Sequence, residues 1–152
     1  MLAYRSEYLF SYQSGISAPV VVGPCPHDVR LNFSLMGGRF EGEHLKGQVL
    51  PGGADYATLR SDGVILLDVR ALLQTDDGAL IDMAYTGVLD LGEEGYANFL
   101  QGQVPADLQV RVAPRFRTAH PAYLWLNRLQ CFSIGQADLA AQTVAYDVYA
   151  LG

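Results

Sequence analysis

Apolar and polar residues alternate with a period of two along most of the chain, the mark of strands with one buried face. In DVRLNFSLM, Val29, Leu31, Phe33 and Leu35 share one face, and Asp28, Arg30, Asn32 and Ser34 share the other. VILLDVRALLQ follows with Ile65, Leu67, Val69, Ala71 and Leu73 on one side; Asp68 and Arg70 lie opposite, flanked by Leu66 and Leu72. ALIDMAYTGVLDL sets Ile81, Met83 and Tyr85 against Asp82, Ala84 and Thr86. AYLWLNRLQCFSI and TVAYDVYAL read as the last two long strands, and Tyr, Val, Leu and Trp enrich all of these segments as β propensity expects.

Turn signals fall between the strands: Gly37-Gly38, Gly42, Pro51-Gly52-Gly53, Asp62-Gly63, Asp76-Asp77-Gly78 and Gly92. The Asp-Gly pairs predict type I′ hairpins, with both central residues at positive φ. Only EEGYANFLQG, residues 93–102, reads as helical, with Glu93 and Glu94 at its positive end. Consecutive hairpins predict one meander of about seven to nine strands, and closure into a barrel best removes the exposed edges. The expected fold is therefore all-β: a single domain over residues 1–152, an antiparallel up-and-down β-barrel of about eight strands with one short helix. A barrel of that size holds packed side chains or one small ligand.

Composition narrows the function classes. Of 152 residues, 50% are hydrophobic and 17% charged, which excludes a disordered chain. A net charge of -6 argues against a nucleic-acid partner and an anionic membrane surface. The N-terminal MLAYRSEYLFSYQ carries charges in its first seven residues and lacks a signal peptide's apolar core. No apolar run approaches the ~20 residues of a membrane helix, so the expectation is a cytoplasmic protein. Cys25, between prolines, reads as a loop thiol and Cys131 as a core one, without a disulfide.

The longest motif is MGGRFEGEHLKGQVLPGGADYATLRSDGVILLDVRALLQTDDGALIDMAYTG. Its order of GG-x-F-x-G, G-x-V-x-PGGAD, R-x-DG, LD-x-R and TDDGA-x-I resembles the family catalogued as domain of unknown function 3237. APRFRTAHPAYLWLNR and the closing YDVYAL match the same pattern, so the resemblance spans nearly the whole chain. Gly42-Glu43-His44 and Tyr56 stand where the family usually has Gly-Pro and Trp. The resemblance implies a small antiparallel barrel similar in architecture to lipocalin-like barrels. It implies no activity, so function has to be argued from the site.

Pro51, Gly52 and Gly53 form the structural element that presents Asp55 and Tyr56 at a strand start near the barrel opening. Asp55 either reaches into the opening or accepts backbone N–H bonds and holds the turn. Asp68 and Arg70 share a strand face, and the alternation favours the outer one. Asp76 and Gly78 read as a hairpin turn rather than a calcium loop, with Asp76 leaving the same end of the strand pair as Asp62. Tyr85, Trp125, Asn127 and Tyr146 are candidates for an aromatic lumen, with Asn127 either tying strands together or orienting a ligand. Arg39 and Arg115 are candidate carboxylate clamps. His27, His44 and His120 show no metal-binding spacing, and no nucleophile elbow, phosphate loop or dinucleotide motif occurs.

These candidates converge on a small-molecule enzyme without cofactor or metal, acting on a hydrophobic or aromatic substrate inside the barrel. Asp55 would serve as general base, with Tyr85, Tyr146 or Asn127 polarising an oxygen, in an isomerisation, cyclisation, hydration or hydrolysis. Tyr56, Arg39, Arg115, Trp125 and Asn127 would bind the ligand. The alternatives are a non-catalytic binding barrel and a structural oligomer component with a filled core. A homo-oligomer is expected from the apolar residues on outward strand faces.

Overall fold

The structure, a computed structural model, describes residues 1–152. The strands are β1 (Ser6–Ile16), β2 (Val20–Val22), β3 (Asp28–Glu41), β4 (Lys46–Val49), β5 (Ala54–Arg60), β6 (Val64–Thr75), β7 (Leu80–Asp90), β8 (Asp107–Arg117), β9 (Gln130–Asp138) and β10 (Thr143–Leu151). A helix α1 (Gly95–Leu100) joins β7 to β8, and a 3-10 helix (Pro121–Arg128) joins β8 to β9. All pairings are antiparallel, and β1 bonds both β10 and β3, so the sheet closes on itself. β1 and β2 lie in line along one edge of β3, and β4 and β5 along the other. The ten segments therefore make an eight-stranded barrel.

Alternation sets what faces in. Along β6, Ile65, Leu67, Val69, Ala71 and Leu73 are buried; along β10, Val144, Tyr146, Val148 and Ala150. They join a single apolar core, whose aromatic centre brings Phe10 to 5.6 Å from Phe40 and 5.7 Å from Phe116. Each such ring pair adds ~1 kcal/mol beyond the area that it buries.

Two glycine-rich stretches that read as turns do not reverse the chain. In β3, the partner in β1 steps from Gly37 opposite Gly15 to Leu35 opposite Ile16, so Met36 is an extra residue. This bulge, with Gly37 at φ 96°, moves the inward face from odd to even positions. Val29, Leu31 and Leu35 face in before it, and Phe40 faces in after it. Without that step the last turn of β3 would aim Arg39 and Glu41 at the core. Beside it, residues 50–53 bulge from the strand that β4 and β5 share: Val49 and Ala54 face Leu73 and Arg70, between which stand only Ala71 and Leu72. The bulged backbone is still bonded, Leu50 N–H to Leu72 O at 2.8 Å and Leu35 N–H to Gly53 O at 2.8 Å.

Three other expectations need correction. The segment beginning AYLWLNR is helical, not extended, because Pro121 sets the first-turn φ and His120 Nδ1 accepts the Ala122 N–H at 3.3 Å. The Asp-Gly turns are not type I′: of each pair only Gly63 (φ 86°) and Gly78 (φ 92°) have positive φ. Each follows a turn closed by a bond from its own N–H, to Arg60 O and Thr75 O, the pattern of a type I turn ending in a left-handed glycine. The Asp62 and Asp76 turns also stand at opposite ends of β6, so the two acids leave opposite ends of the barrel. No helix is long and apolar enough to cross a membrane.

The bulges and close approaches make a testable contrast. A Cβ on Gly38 would stand 1.8 Å from Gln13 O, whereas one on Gly52 meets nothing within 4 Å but sits at φ 104°. In urea denaturation Gly52→Ala is expected to cost ~1–2 kcal/mol for its backbone conformation alone. Gly38→Ala is expected to cost more, roughly 3 kcal/mol, because two strands must separate.

Candidate functional site

The barrel interior is divided by tyrosines. Tyr12 enters from β1, Tyr85 from β7 and Tyr146 from β10, each 5% exposed or less. The Tyr12 hydroxyl donates to the Tyr85 hydroxyl at 2.9 Å, bridging opposite walls. Tyr12 and Tyr146 stack with centroids 4.9 Å apart and planes 17° from parallel. Room for Tyr146 comes from Gly135 on β9, where any Cβ would fall 2.1 Å from the ring. On one side of this layer Phe10, Phe40, Phe116, Met83 and Leu126 fill the barrel, and the 3-10 helix covers that end.

On the other side is a cavity of about 80 Å³. Nineteen of its 21 lining residues are hydrophobic, and Asp55 is the one charged group among them. Leu91, Phe99 and Val104, from the segment that carries α1, line it together with Pro19 and Leu139. These residues belong to the connections at the end opposite the 3-10 helix, which makes that end the mouth.

Asp55 shares the inward face of β5 with Ala57 and Leu59. It pairs with Val69 on β6, and Val69 pairs with Tyr85 on β7. Asp55 and Tyr85 are thus two strand spacings apart, roughly 10 Å between Cα atoms, with their side chains turned into the same space. Asp55 Oδ1 accepts the Asp68 N–H at 3.1 Å. The β5–β6 pairing skips Tyr56 and Ala57 there, and the Tyr56 carbonyl accepts instead from Arg30 Nη1 at 2.8 Å. Asp55 therefore has both roles weighed for it: one oxygen holds a wall together, and Oδ2, which no protein group bonds, is left to the cavity.

Burial pushes the Asp55 carboxyl up to about 6; the Asp68 N–H bond opposes that rise and the Asp68 charge adds to it. Burial also raises Tyr12, Tyr85 and Tyr146 well above their ordinary value, and the charge of Asp55 contributes at all three. At neutral pH the site therefore holds an ionised carboxylate of raised basicity and three intact hydroxyls.

The other candidates lie elsewhere. Tyr56 is 48% exposed on the outer wall. Arg39 stands outside, 3.9 Å from Asp76. Arg115 Nη1 donates to Gln130 Oε1 at 3.2 Å on the exposed face of β8. Trp125 sits on the 3-10 helix beside Glu7 and His44, at the end away from the cavity. Asn127 ties structure together, accepting the Thr118 N–H at 2.8 Å and donating to Thr118 O at 2.9 Å. The 3-10 helix carries Trp125 and Asn127 away from the cavity and the β3 bulge turns Arg39 out, while Tyr56 and Arg115 face outward by plain alternation. Asp68 and Arg70 face outward and pair at 2.7 Å, with half-exposed side chains. Tyr12 and Gly135 were overlooked, although Phe10, Tyr12, Ser14 and Ile16 alternate as cleanly as any other strand.

The family model described as protein of unknown function (DUF3237) matches residues 5–151. A UPF0311 protein from Rhodopseudomonas palustris is 33% identical over 148 residues, 95% of each chain. The crystal structure of a conserved protein of unknown function from Rhodopseudomonas palustris superposes with a TM-score of 0.88 at 29% identity, covering 100% of both chains. A beta-barrel like protein from Acinetobacter baumannii does so with a TM-score of 0.83 at 29% identity, over 100% of this chain and 98% of that one. An enzyme from Penicillium herquei shares the fold at 21% identity, with a TM-score of 0.72 over 100% of this chain and 97% of its own.

The raised carboxyl makes a pH prediction. Its folded value of about 6 exceeds the ordinary 3.8, so the folded state holds this proton more tightly than the unfolded one. Stability from this group is complete below about pH 4 and declines as pH rises to about 6. Above that, ionised Asp55 costs on the order of 2–3 kcal/mol, at ~1.4 kcal/mol per pH unit. Asp55→Asn should accordingly be more stable than the parent at pH 7.5, with the gap narrowing toward pH 4. Urea titrations of both proteins across that range measure it.

Proposed function

The chain belongs to the DUF3237 family of proteins of unknown function, and from its site we propose a small-molecule enzyme that uses acid–base chemistry without a cofactor. The observation that carries the proposal is one carboxylate, with a free oxygen, in an otherwise apolar cavity beside protonated tyrosine hydroxyls. A carboxylate placed only for structure would bond both oxygens or face water. Keeping a carboxylate among apolar walls costs stability, and it yields a base of about pKa 6, matched to work near neutral pH.

In this reading Asp55 takes a proton from the bound molecule and returns it, while Tyr85 and Tyr146 donate to an oxygen on which charge builds. Tyr12 is a positioning residue, since its bond fixes the Tyr85 hydroxyl. The apolar walls strengthen each of these interactions by excluding water. Isomerisation, cyclisation, hydration and hydrolysis are all within the reach of one base and two donors. The Penicillium herquei neighbour, described as an enzyme, has the same architecture; the argument for this chain rests on its own residues.

The proposal includes a cytoplasmic setting and a homo-oligomer, whose contact would cover the exposed Leu66, Leu72 and Val88 on the outer faces of β6 and β7. Light scattering that gives a monomer at all concentrations removes the oligomer.

Activity is tested with a panel of small hydrophobic enones, alkenols, epoxides and esters followed by NMR. Conversion of one class is expected, with kcat/KM rising as pH passes about 6. Asp55→Asn is expected to lower kcat by about 10²–10⁴-fold. A converting enzyme that Asp55→Asn leaves unchanged overturns the assignment.

A further inference from the structure

We propose that the cavity takes an enolisable carbonyl compound, with Asp55 as base at the carbon next to the carbonyl and the Tyr85 and Tyr146 hydroxyls as donors to its oxygen. This rests on the acid–base reading above and names the substrate class for it.

The argument begins with hydrogen-bond capacity. In the Tyr12–Tyr85 bond the Tyr85 oxygen accepts, which leaves the proton of Tyr85 uncommitted. The Tyr146 hydroxyl has only the Tyr85 hydroxyl beside it as a partner, and Tyr146, 4% exposed, lines the cavity. The site thus presents two hydroxyls, Tyr85 and Tyr146, that can turn to a bound oxygen and, at Asp55 Oδ2, one unspent acceptor.

Ligand classes can be sorted against that set. An amine would satisfy Asp55 and give the hydroxyls no new acceptor. A carboxylate would satisfy the hydroxyls and bring a second negative charge toward Asp55 in a dry space. A hydrocarbon would satisfy neither. A carbonyl compound with an acidic neighbouring C–H answers all three groups, and answers them better as its electrons move onto oxygen. No serine, cysteine, lysine or histidine lines the cavity, so Asp55 is the one strongly basic side chain there.

The step balances without another reactant. Asp55 Oδ2 forms a bond to the proton of the α-carbon, and the C–H pair becomes the C=C bond of an enolate. The carbonyl π pair moves onto oxygen, where the two hydroxyls hold it. Protonated Asp55 then returns its proton to a carbon of the enolate, and the pairs flow back. Nothing is oxidised or reduced, and the product is an isomer of the substrate.

Size limits the rest of the molecule. The cavity of about 80 Å³ is roughly half the ~150 Å³ of an apolar cavity that admits benzene. The carbonyl and its neighbours fit inside, and the remainder lies toward the mouth between Leu91, Phe99 and Val104.

The test is binding of phenol, 3-chlorophenol and 4-nitrophenol, whose phenolate oxygen imitates an enolate. It uses the parent protein, Asp55→Asn and Tyr146→Phe at pH 8. Asp55→Asn stands for the protonated Asp55 that faces an enolate, so it should bind each phenol about tenfold tighter than the parent. Affinity should also rise with phenol acidity, with 4-nitrophenol bound as its yellow phenolate. Tyr146→Phe, which keeps the ring against Gly135, should weaken binding about tenfold. Tyr85→Phe gives the same comparison should Tyr146→Phe fail to fold by thermal melting. Affinity that ignores acidity, a Tyr→Phe variant that binds like the parent, or no binding of any phenol overturns the enolate assignment. The acid–base reading survives each of those results and falls only if turnover persists in Asp55→Asn.

Discussion

One hydrogen bond across the barrel, from the Tyr12 to the Tyr85 hydroxyl, governs the organisation of the interior. Its net worth is modest, about 1 kcal/mol, as for any buried neutral bond. Its effect is geometric. With Tyr146 stacked on Tyr12, it forms a floor that a side chain from either wall alone could not span. Beneath the floor, phenylalanines and aliphatic residues fill the space to the 3-10 helix. Above it a hollow remains. Packing and binding are thus assigned to different halves of one barrel.

Much of this was legible in the alternation. β6 and the first half of β3 carry clean period-two patterns, because each has one face in the core and the barrel demands no irregularity there. The bulges were less legible. Gly37-Gly38 and Pro51-Gly52-Gly53 have the composition of hairpin turns, and composition alone does not say whether the chain reverses. What decides is register: Val49 and Ala54 remain opposite the same two neighbours, so the chain continues. The 3-10 helix at Pro121–Arg128 escaped because its Tyr, Leu and Trp suit a strand as well, and a proline and a histidine cap settle the matter locally.

The site was legible in part for the same reason. Asp55 lies two residues from Ala57 and four from Leu59 on an inward face, and its role follows from that parity. Tyr85 and Tyr146 follow from theirs. An extended AYLWLNR segment would put Trp125 and Asn127 in the lumen; the 3-10 helix puts them at the far end instead. Arg39 stands outside because the extra Met36 turns that end of β3 over. Tyr12 needed a partner from the far wall, and no local pattern reveals a contact between residues 73 positions apart.

The tyrosine layer has a consequence for how relatives of this chain can diverge. Residues that line the hollow can be exchanged for larger or smaller ones with less repacking than those of the filled half, because there is space beside them. Descendants of one ancestor would then keep a common foundation while the chamber above it is reshaped lineage by lineage. Conservation across the group should accordingly be steep below the aromatic partition and shallow above it, apart from the few polar atoms that do chemistry.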